Sequence, residues 1–236
     1  MSKAQTQGSV VVIGGTSGSG RHLAEALARR GESVVITGRN LERTQAVAQQ
    51  IGDGVRAIAL DLTRPVEINE CLASIGPVRH LVLAAVDRDT NPVRNFVIAS
   101  AMNLFTLKLV GYAEVVHTLA DRFTSDGSIV LFGGISRDKP YPGSTTITMA
   151  NGGIATMVRT LAIELAPLRV NAIHPGTVED SPAWGENPAV LDPMRARTPT
   201  RRLATMQDIT HAVLFLLDNQ AVNGINLAVD GGLRIA

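Results

Sequence analysis

"VVVIGGTSGSGRHLA", residues 10–24, is the stretch on which the fold turns. Four β-branched residues run into glycines at 14, 15, 18 and 20, and an amphipathic pattern follows with Leu23, Ala24, Leu27 and Ala28 on one face. A strand, a glycine loop and a helix start, in that order, let a phosphate approach the backbone. No Cβ stands in the way, and the first helical turn offers free N–H groups at its positive dipole end. Gly14, Gly18 and Gly20 have the spacing G-x-x-x-G-x-G, which is not the G-x-G-x-x-G of the commonest dinucleotide fingerprint. Glycines alone also suit a plain structural turn. The helix and second strand that follow favour a nucleotide-binding βαβ unit.

Outward from this loop, short β-branched runs alternate with longer helical patterns. The expected strands are residues 9–15, 33–39, 55–62, 80–86, 127–134, 168–176 and 224–232. The expected helices are 20–31, 41–51, a long one over 96–123, one beginning near 145, and 206–218. Near-continuously apolar strands alternating with helices predict an α/β single domain, a parallel sheet covered on both faces. One irregular region, residues 177–202, carries Pro182, Pro188, Pro193 and Pro199 and reads as a substrate lid loop.

Bulk properties narrow the class. A chain of 236 residues can bury a full core as one domain. A net charge of +1 gives no global pull toward nucleic acid or anionic membrane. The single cysteine, Cys71, closes no intrachain disulfide and leaves no metal cluster. The first residues, "MSKAQTQGS", contain no apolar signal core, and no apolar run approaches 18 residues. The expectation is a cytoplasmic protein with a small-molecule substrate, no bound metal, and neither nucleic acid nor membrane as partner.

The second strand ends in "TGRN", where sites selective for NAD commonly place a carboxylate on the ribose 2′-hydroxyl. This chain has Gly38 followed by Arg39, whose guanidinium suits a 2′-phosphate or else is a solvated charge at a strand end. The expected cofactor is therefore NADP(H), with Thr16 and Ser17 adding hydroxyl contacts and Ser19 completing the loop. Asp61 and Leu62, at the end of the third strand, are placed to meet the adenine edge, or else Asp61 caps the turn before Pro65.

The ordered set "GGTSGSG", "TGRN", "DL" at Asp61, "MNLF" at Asn103, "LAIELAPLRVNAIHPG" over 161–176 and "VDGG" over 229–232 resembles the short-chain dehydrogenase/reductase family across nearly the whole chain. The resemblance implies a Rossmann-like, doubly wound parallel sheet of about seven strands in three layers. It implies nicotinamide beside Pro175, Gly176 and Val178, cofactor contacts from Ala84 and Asn151, and a homodimer or homotetramer built through the long helices. Such enzymes transfer hydride to or from a carbonyl, with a tyrosine donating the proton, a lysine one turn later, a serine on the preceding strand and an asparagine on the long helix. Ungapped alignment from 127 to 176 places Gly134 at the serine, Ile147 at the tyrosine and Asn151 at the lysine; only Asn103 matches. The wider tyrosine-to-lysine spacing of the enoyl reductase branch would begin at Tyr141 and end at Thr148, where no lysine stands.

Asn103, Tyr141 and Thr148 remain as catalytic candidates. Asn103 either keeps the family role or stabilises a helix irregularity. Tyr141 either swings to substrate or packs on the surface, and Thr145, Thr146 and Thr148 either contact substrate or cap the helix. His174 is a candidate acid–base group or a satisfied buried histidine. Asp87 lies near the nicotinamide or in a turn. Glu179 and Asp180 begin the lid as solvated groups. Arg195, Arg197, Arg201 and Arg202 give the lid a basic character, and Trp184 covers the substrate or anchors the loop. The functional expectation is an NADP(H)-dependent oxidoreductase with a non-standard site, acting on a small carbonyl, enone or imine. Its rivals are an NADP(H)-binding protein used for isomerisation, cyclisation, dehydration or sensing, and a nucleotide fold with a weak site.

Overall fold

A computed structural model describes residues 8–87, 89–182 and 187–236. Seven parallel strands form one sheet in the order β3-β2-β1-β4-β5-β6-β7: β1 (Ser9–Ile13), β2 (Val34–Gly38), β3 (Arg56–Ala59), β4 (Val78–Leu83), β5 (Phe123–Phe132), β6 (Arg169–Pro175) and β7 (Asn226–Val229). The order reverses between β1 and β4. In an open parallel sheet that switch point leaves a crevice beyond the strands' carboxyl ends.

Successive strand residues face opposite sides, and the core divides accordingly. Val11, Ile13, Leu81, Leu83, Ile129 and Leu131 pack with Val115, Ile154 and Val158. Val10, Val12, Val82, Val130 and Ile173 pack with Leu23, Leu27, Ile209 and Val213 on the other face. The first layer belongs to α5 (Gly111–Leu119) and α6 (Thr145–Glu164), the second to α1 (Gly18–Arg29) and α8 (Met206–Asp218). α2 (Leu41–Ile51) starts at Asn40, whose side chain accepts the Arg43 N–H at 2.8 Å. α8 starts at a capping box in which Thr205 and Asp208 satisfy each other's backbone N–H groups. Its last carbonyls fall to Arg169, which donates to Leu216, Leu217 and Asn219 at 2.6–2.9 Å.

Two expectations change. The helix over 96–123 begins at Ile98 and is interrupted: α4 (Ile98–Phe105) passes through a π turn at Thr106–Val110 before α5 resumes. At that junction the backbone approaches its neighbour so closely that a Cβ on Gly111 would stand 2.7 Å from the Leu62 carbonyl. Residues 177–202 are not irregular throughout. They contain α7 (Pro188–Arg197), with Pro188 in its first turn, where a missing N–H costs nothing. A short helix, α3 (Ile68–Cys71), was also not anticipated. No helix among the described residues is long and apolar enough to cross a membrane.

Candidate active site

The glycine loop sits at the switch point. Gly14 (φ +87°) and Gly18 (φ +52°) occupy the left-handed region that glycine adopts without strain. A Cβ on Gly14 would be 2.7 Å from the Ala85 backbone, and one on Gly20 would be 2.3 Å from the Gly14 carbonyl. The loop is thus coiled on itself and pressed onto the end of β4, where Ala84 donates to the Ile13 carbonyl at 2.9 Å. Ser17 precedes α1 with no side-chain bond to the helix, and the first turn holds no acid. The positive end of α1 is therefore left to the crevice. Thr16 packs over Gly38, where a Cβ would be 2.6 Å from its methyl. Tyr112, fully buried on α5, donates to the Ala85 carbonyl at 2.6 Å and fixes the floor beneath the loop.

The start of α6 forms the second half. Ile147 and Asn151 lie one turn apart, Ile147 partly buried and Asn151 buried. Asn151 Nδ2 donates to Ser136 Oγ at 2.9 Å, and its Oδ1 is buried with no partner among the described residues. A Cβ on Gly134 would fall 2.6 Å from Asn151 Nδ2, so the amide fills the space a side chain at 134 would use.

The peptide between Gly133 and Gly134 is held at both ends. Its carbonyl accepts from Lys108 Nζ at 3.4 Å, and its N–H donates to His174 Nδ1 at 3.1 Å. Nδ1 must then be the unprotonated nitrogen, so Nε2–H is the donor to Asn226 Oδ1 at 2.8 Å; Asn226 Nδ2 donates in turn to the Ala155 carbonyl. His174 is fully buried, and burial lowers its pKa to about 4 against the opposing pull of Asn226. It is a satisfied structural histidine. Lys108 was missed in the sequence, although a signal was there: it lies one turn from both Leu104 and Tyr112 on the buried stripe.

The other expected residues divide. Arg39 is two-thirds exposed and paired with Asp87 at 3.6 Å, which puts Asp87 beside the "TGRN" corner. Asp61 accepts the Thr63 N–H and hydroxyl at 3.0 and 2.8 Å, so its carboxylate caps the turn. Leu62 is buried beneath Gly111. Pro175 and Gly176 close β6 against β7, and Val178 bridges to Ala204. An open cleft of about 440 Å³ is lined by Asp87 and Asp89 and, from α4, by Ala99, Ser100, Asn103 and Leu104. Asn103 is thus at the cleft, one turn before the π segment.

The remaining two catalytic candidates lie at and just before the start of α6. The Thr148 hydroxyl is engaged with Ser144 Oγ at 3.0 Å and the Ser136 carbonyl at 3.2 Å, which is the work of a helix start. Tyr141 is 55% exposed on the loop before α6. In the 177–202 region, Glu179 is paired with Arg195 at 2.6 Å, Asp180 accepts the Met206 N–H, and Arg202 is paired with Asp208, which it holds well below the usual carboxylate range. The basic character expected of this region is therefore partly neutralised. Trp184 lies outside the described residues. Asn91, not anticipated, is a buried clip: its side chain bonds Val97 and Thr146, and its N–H donates to the Gly143 carbonyl.

A glycine loop at the switch point, ahead of a helix start on the far side of β5, is a recognisable pair. The family model described as "Enoyl-(Acyl carrier protein) reductase" matches residues 14–234. The chain belongs to the short-chain dehydrogenase/reductase family. The 3-oxoacyl-[acyl-carrier-protein] reductase of Bos taurus is 31% identical over 232 residues, covering 95% of this chain and 97% of that protein. A solved short-chain dehydrogenase/reductase family protein is 30% identical with a TM-score of 0.88, covering 98% of both chains. The 3-ketoacyl-(acyl-carrier-protein) reductase of Brucella melitensis, solved in complex with NADH, is 25% identical with a TM-score of 0.86, covering 97% of this chain and 98% of that one. No group of His, Cys, Asp or Glu among the described residues is arranged to hold a metal.

Proposed function

We propose that this chain is an NADP(H)-dependent oxidoreductase with a non-standard active site, acting on a small carbonyl, enone or imine. One contrast supports the reading. The phosphate cradle is fully formed, with Gly20 pressed on Gly14 and α1 open at its positive end, while Ile147 and Asn151 stand where the family resemblance expects tyrosine and lysine. The residues present fit a nicotinamide dinucleotide. The loop accepts a pyrophosphate only because no Cβ fills it, and Asn151 Oδ1, buried without a partner, is an acceptor for a ribose hydroxyl.

Within this reading Gly14, Thr16, Ser17, Gly18, Ser19 and Gly20 hold the pyrophosphate. Arg39 turns from Asp87 to a 2′-phosphate, and Asp61 and Leu62 border the adenine through their backbone. Ala84, Pro175, Gly176 and Val178 line the nicotinamide end. The bound cofactor supplies hydride chemistry. The protein orients it and shields it from water, and Ile147 offers an apolar wall with no proton to give. Asn103, exposed on the cleft, is the polar side chain available to hold a substrate or a water. Losing a positioned acid forfeits about 10²–10⁴-fold for a ketone; an iminium carries its charge already and forfeits less. A homodimer or homotetramer, and the lid role of 177–202, belong to the same proposal. A panel of carbonyls, enones and imines incubated with C4-deuterated NADPH tests it. Deuterium in at least one product is the expected result; stoichiometric NADPH binding with no label in any would favour a non-redox use of the pocket, the second reading that Ile147 recommends.

A further inference from the structure

We propose that Lys108 is the cationic residue of this site, entering from the π turn instead of from α6, and that the proton it carries clamps the Gly133–Gly134 peptide and sets the pH range of turnover. The effect on turnover rests on the reductase reading above; the clamp does not.

Lys108 is 1% exposed, and its only hydrogen bond among the described residues is to the Gly133 carbonyl. Burying an ammonium without a carboxylate is costly, and a methionine would fill the same volume. Elsewhere the chain favours arginine, 19 times against three lysines at positions 3, 108 and 139. Arginine keeps its charge under all ordinary conditions, whereas a buried lysine can give its proton up. Burial alone lowers Lys108 from 10.5 to about 7.

The groups around it leave this proton as the local variable. β6 brings His174, held neutral by burial. The turn Ile135–Arg137 brings Arg137, paired with Asp138 at 3.1 Å. α5 brings Tyr112, whose hydroxyl burial raises far above neutrality, and Glu114, which accepts the Thr118 hydroxyl. The turn Pro65–Glu67 brings Glu67, paired at the surface with Arg64. α6 brings Asn151, which is uncharged.

The clamp is a matter of connectivity. The carbonyl that accepts from Lys108 and the N–H that donates to His174 belong to one peptide plane. An ammonium on the oxygen draws density from the amide and strengthens its N–H as a donor. Loss of the proton slackens both bonds together. The peptide ends at Gly134, where Asn151 abuts an α-carbon with no side chain. A positive charge behind that wall favours an oxygen gaining negative charge as hydride arrives. The protonated form is the active one, so turnover is full below neutrality and is lost as pH rises through the lysine's titration.

Lysine carbons labelled at Cε in the full chain give three resonances to follow with pH. One is expected to titrate near neutrality, to vanish in Lys108→Met, and to carry the Gly134 amide shift with the same midpoint. With saturating NADPH and the carbonyl that accepts label, kcat is expected to fall about tenfold per pH unit above that midpoint, as for any single required proton. Lys108→Met is expected to lose that fall and about tenfold in kcat at pH 6, with the NADPH Kd within about twofold. Lys108→Arg is expected to keep the low-pH rate at higher pH. A Lys108 resonance titrating near 10, a Gly134 amide indifferent to it, or a wild-type pH profile in Lys108→Met overturns the proposal. If wild type transfers no label while Lys108 titrates near neutrality and moves the Gly134 amide, the reductase reading falls and the clamp stands.

Discussion

Asn151 donates from Nδ2 to the Ser136 hydroxyl at 2.9 Å, and in doing so it occupies the space beside Gly134. Gly134 and Asn151 are thus closed on each other at the spot where the family resemblance expects a serine and a lysine to face a substrate.

Gly134→Ser alone should therefore destabilise the protein. The backbone at Gly134 is extended, so the cost is contact: the new Cβ meets the Asn151 amide at 2.6 Å. A loss of about 1–3 kcal/mol is expected from overpacking. Urea unfolding should show that Asn151→Ala in the same chain recovers most of it, with a coupling of roughly 0.5–3 kcal/mol between the sites. Gly134→Ser with Ile147→Tyr and Asn151→Lys should gain carbonyl reduction by about 10²-fold or more with generic substrates. A folded, NADPH-binding triple variant with no gain would show that the positions are misassigned.

Asn151→Ala separates binding from folding. The side chain makes one hydrogen bond and leaves one buried acceptor unsatisfied, so its removal should change unfolding free energy by less than about 1 kcal/mol. NADPH affinity, measured by calorimetry, should fall roughly tenfold, the worth of one good hydrogen bond. Unchanged affinity would mean that Oδ1 does not face the ribose.

The Arg39–Asp87 pair makes two opposite predictions. Arg39→Ala should weaken NADPH by roughly 10- to 100-fold, the range for a charge-assisted contact, and NADH by far less. Asp87→Ala frees Arg39 from a half-buried partner in a pair worth about 0.2–1 kcal/mol, so NADPH should bind up to about fivefold more tightly. Equal effects on both cofactors would remove Arg39 as the discriminating group.

Stability should depend on pH in the acid range. His80, buried against Ser128, and His174 are each lowered by burial from 6.5 to about 4. Below pH 6.5 the unfolded chain takes up protons that the folded chain refuses. The contribution is therefore fully present above about 6.5 and is lost as pH falls toward 4, by up to about 3 kcal/mol per histidine. Lys108 works in the same direction at higher pH: it is protonated more readily unfolded than folded between about 7 and 10.5, so stability rises across that range. Urea midpoints from pH 4 to 10 check both slopes, and Lys108→Met should be the more stable protein at neutral pH.

The sheet was legible because buried parallel strands have little latitude. Val10 to Ile13, Val34 to Ile36 and Ile129 to Leu131 are apolar on both faces and could hardly be anything else. The bounds of α2 and α8 matched to the residue, and in the structure Asn40 and Thr205 cap their starts. Four prolines hid α7, because a proline in the first turn of a helix looks the same in sequence as one that breaks it. The π turn has no pattern of its own; it arises where Gly111 meets the Leu62 carbonyl, a contact between distant segments.

At the site, the glycine loop could be read because steric need is written in residue type. The Asn91 clip, the Tyr112 bond to Ala85 and the Arg39–Asp87 pair could not, since each joins a residue to a partner that only the fold brings near. Asp61 shows the reverse limit. Both its readings were open in the sequence, and a neighbour two residues away took the carboxylate.

The fit of Gly20 against Gly14 has a consequence for how such a protein can change over time. At one end of the crevice a side chain at Gly14 or Gly20 collides with main chain, so drift at those two positions is barred by geometry. At the other end Ile147 and Asn151 are ordinary side chains on an intact helix, replaceable at little cost to the framework. New reactivity can be tried at that end alone, while the handle for the nucleotide stays as it was.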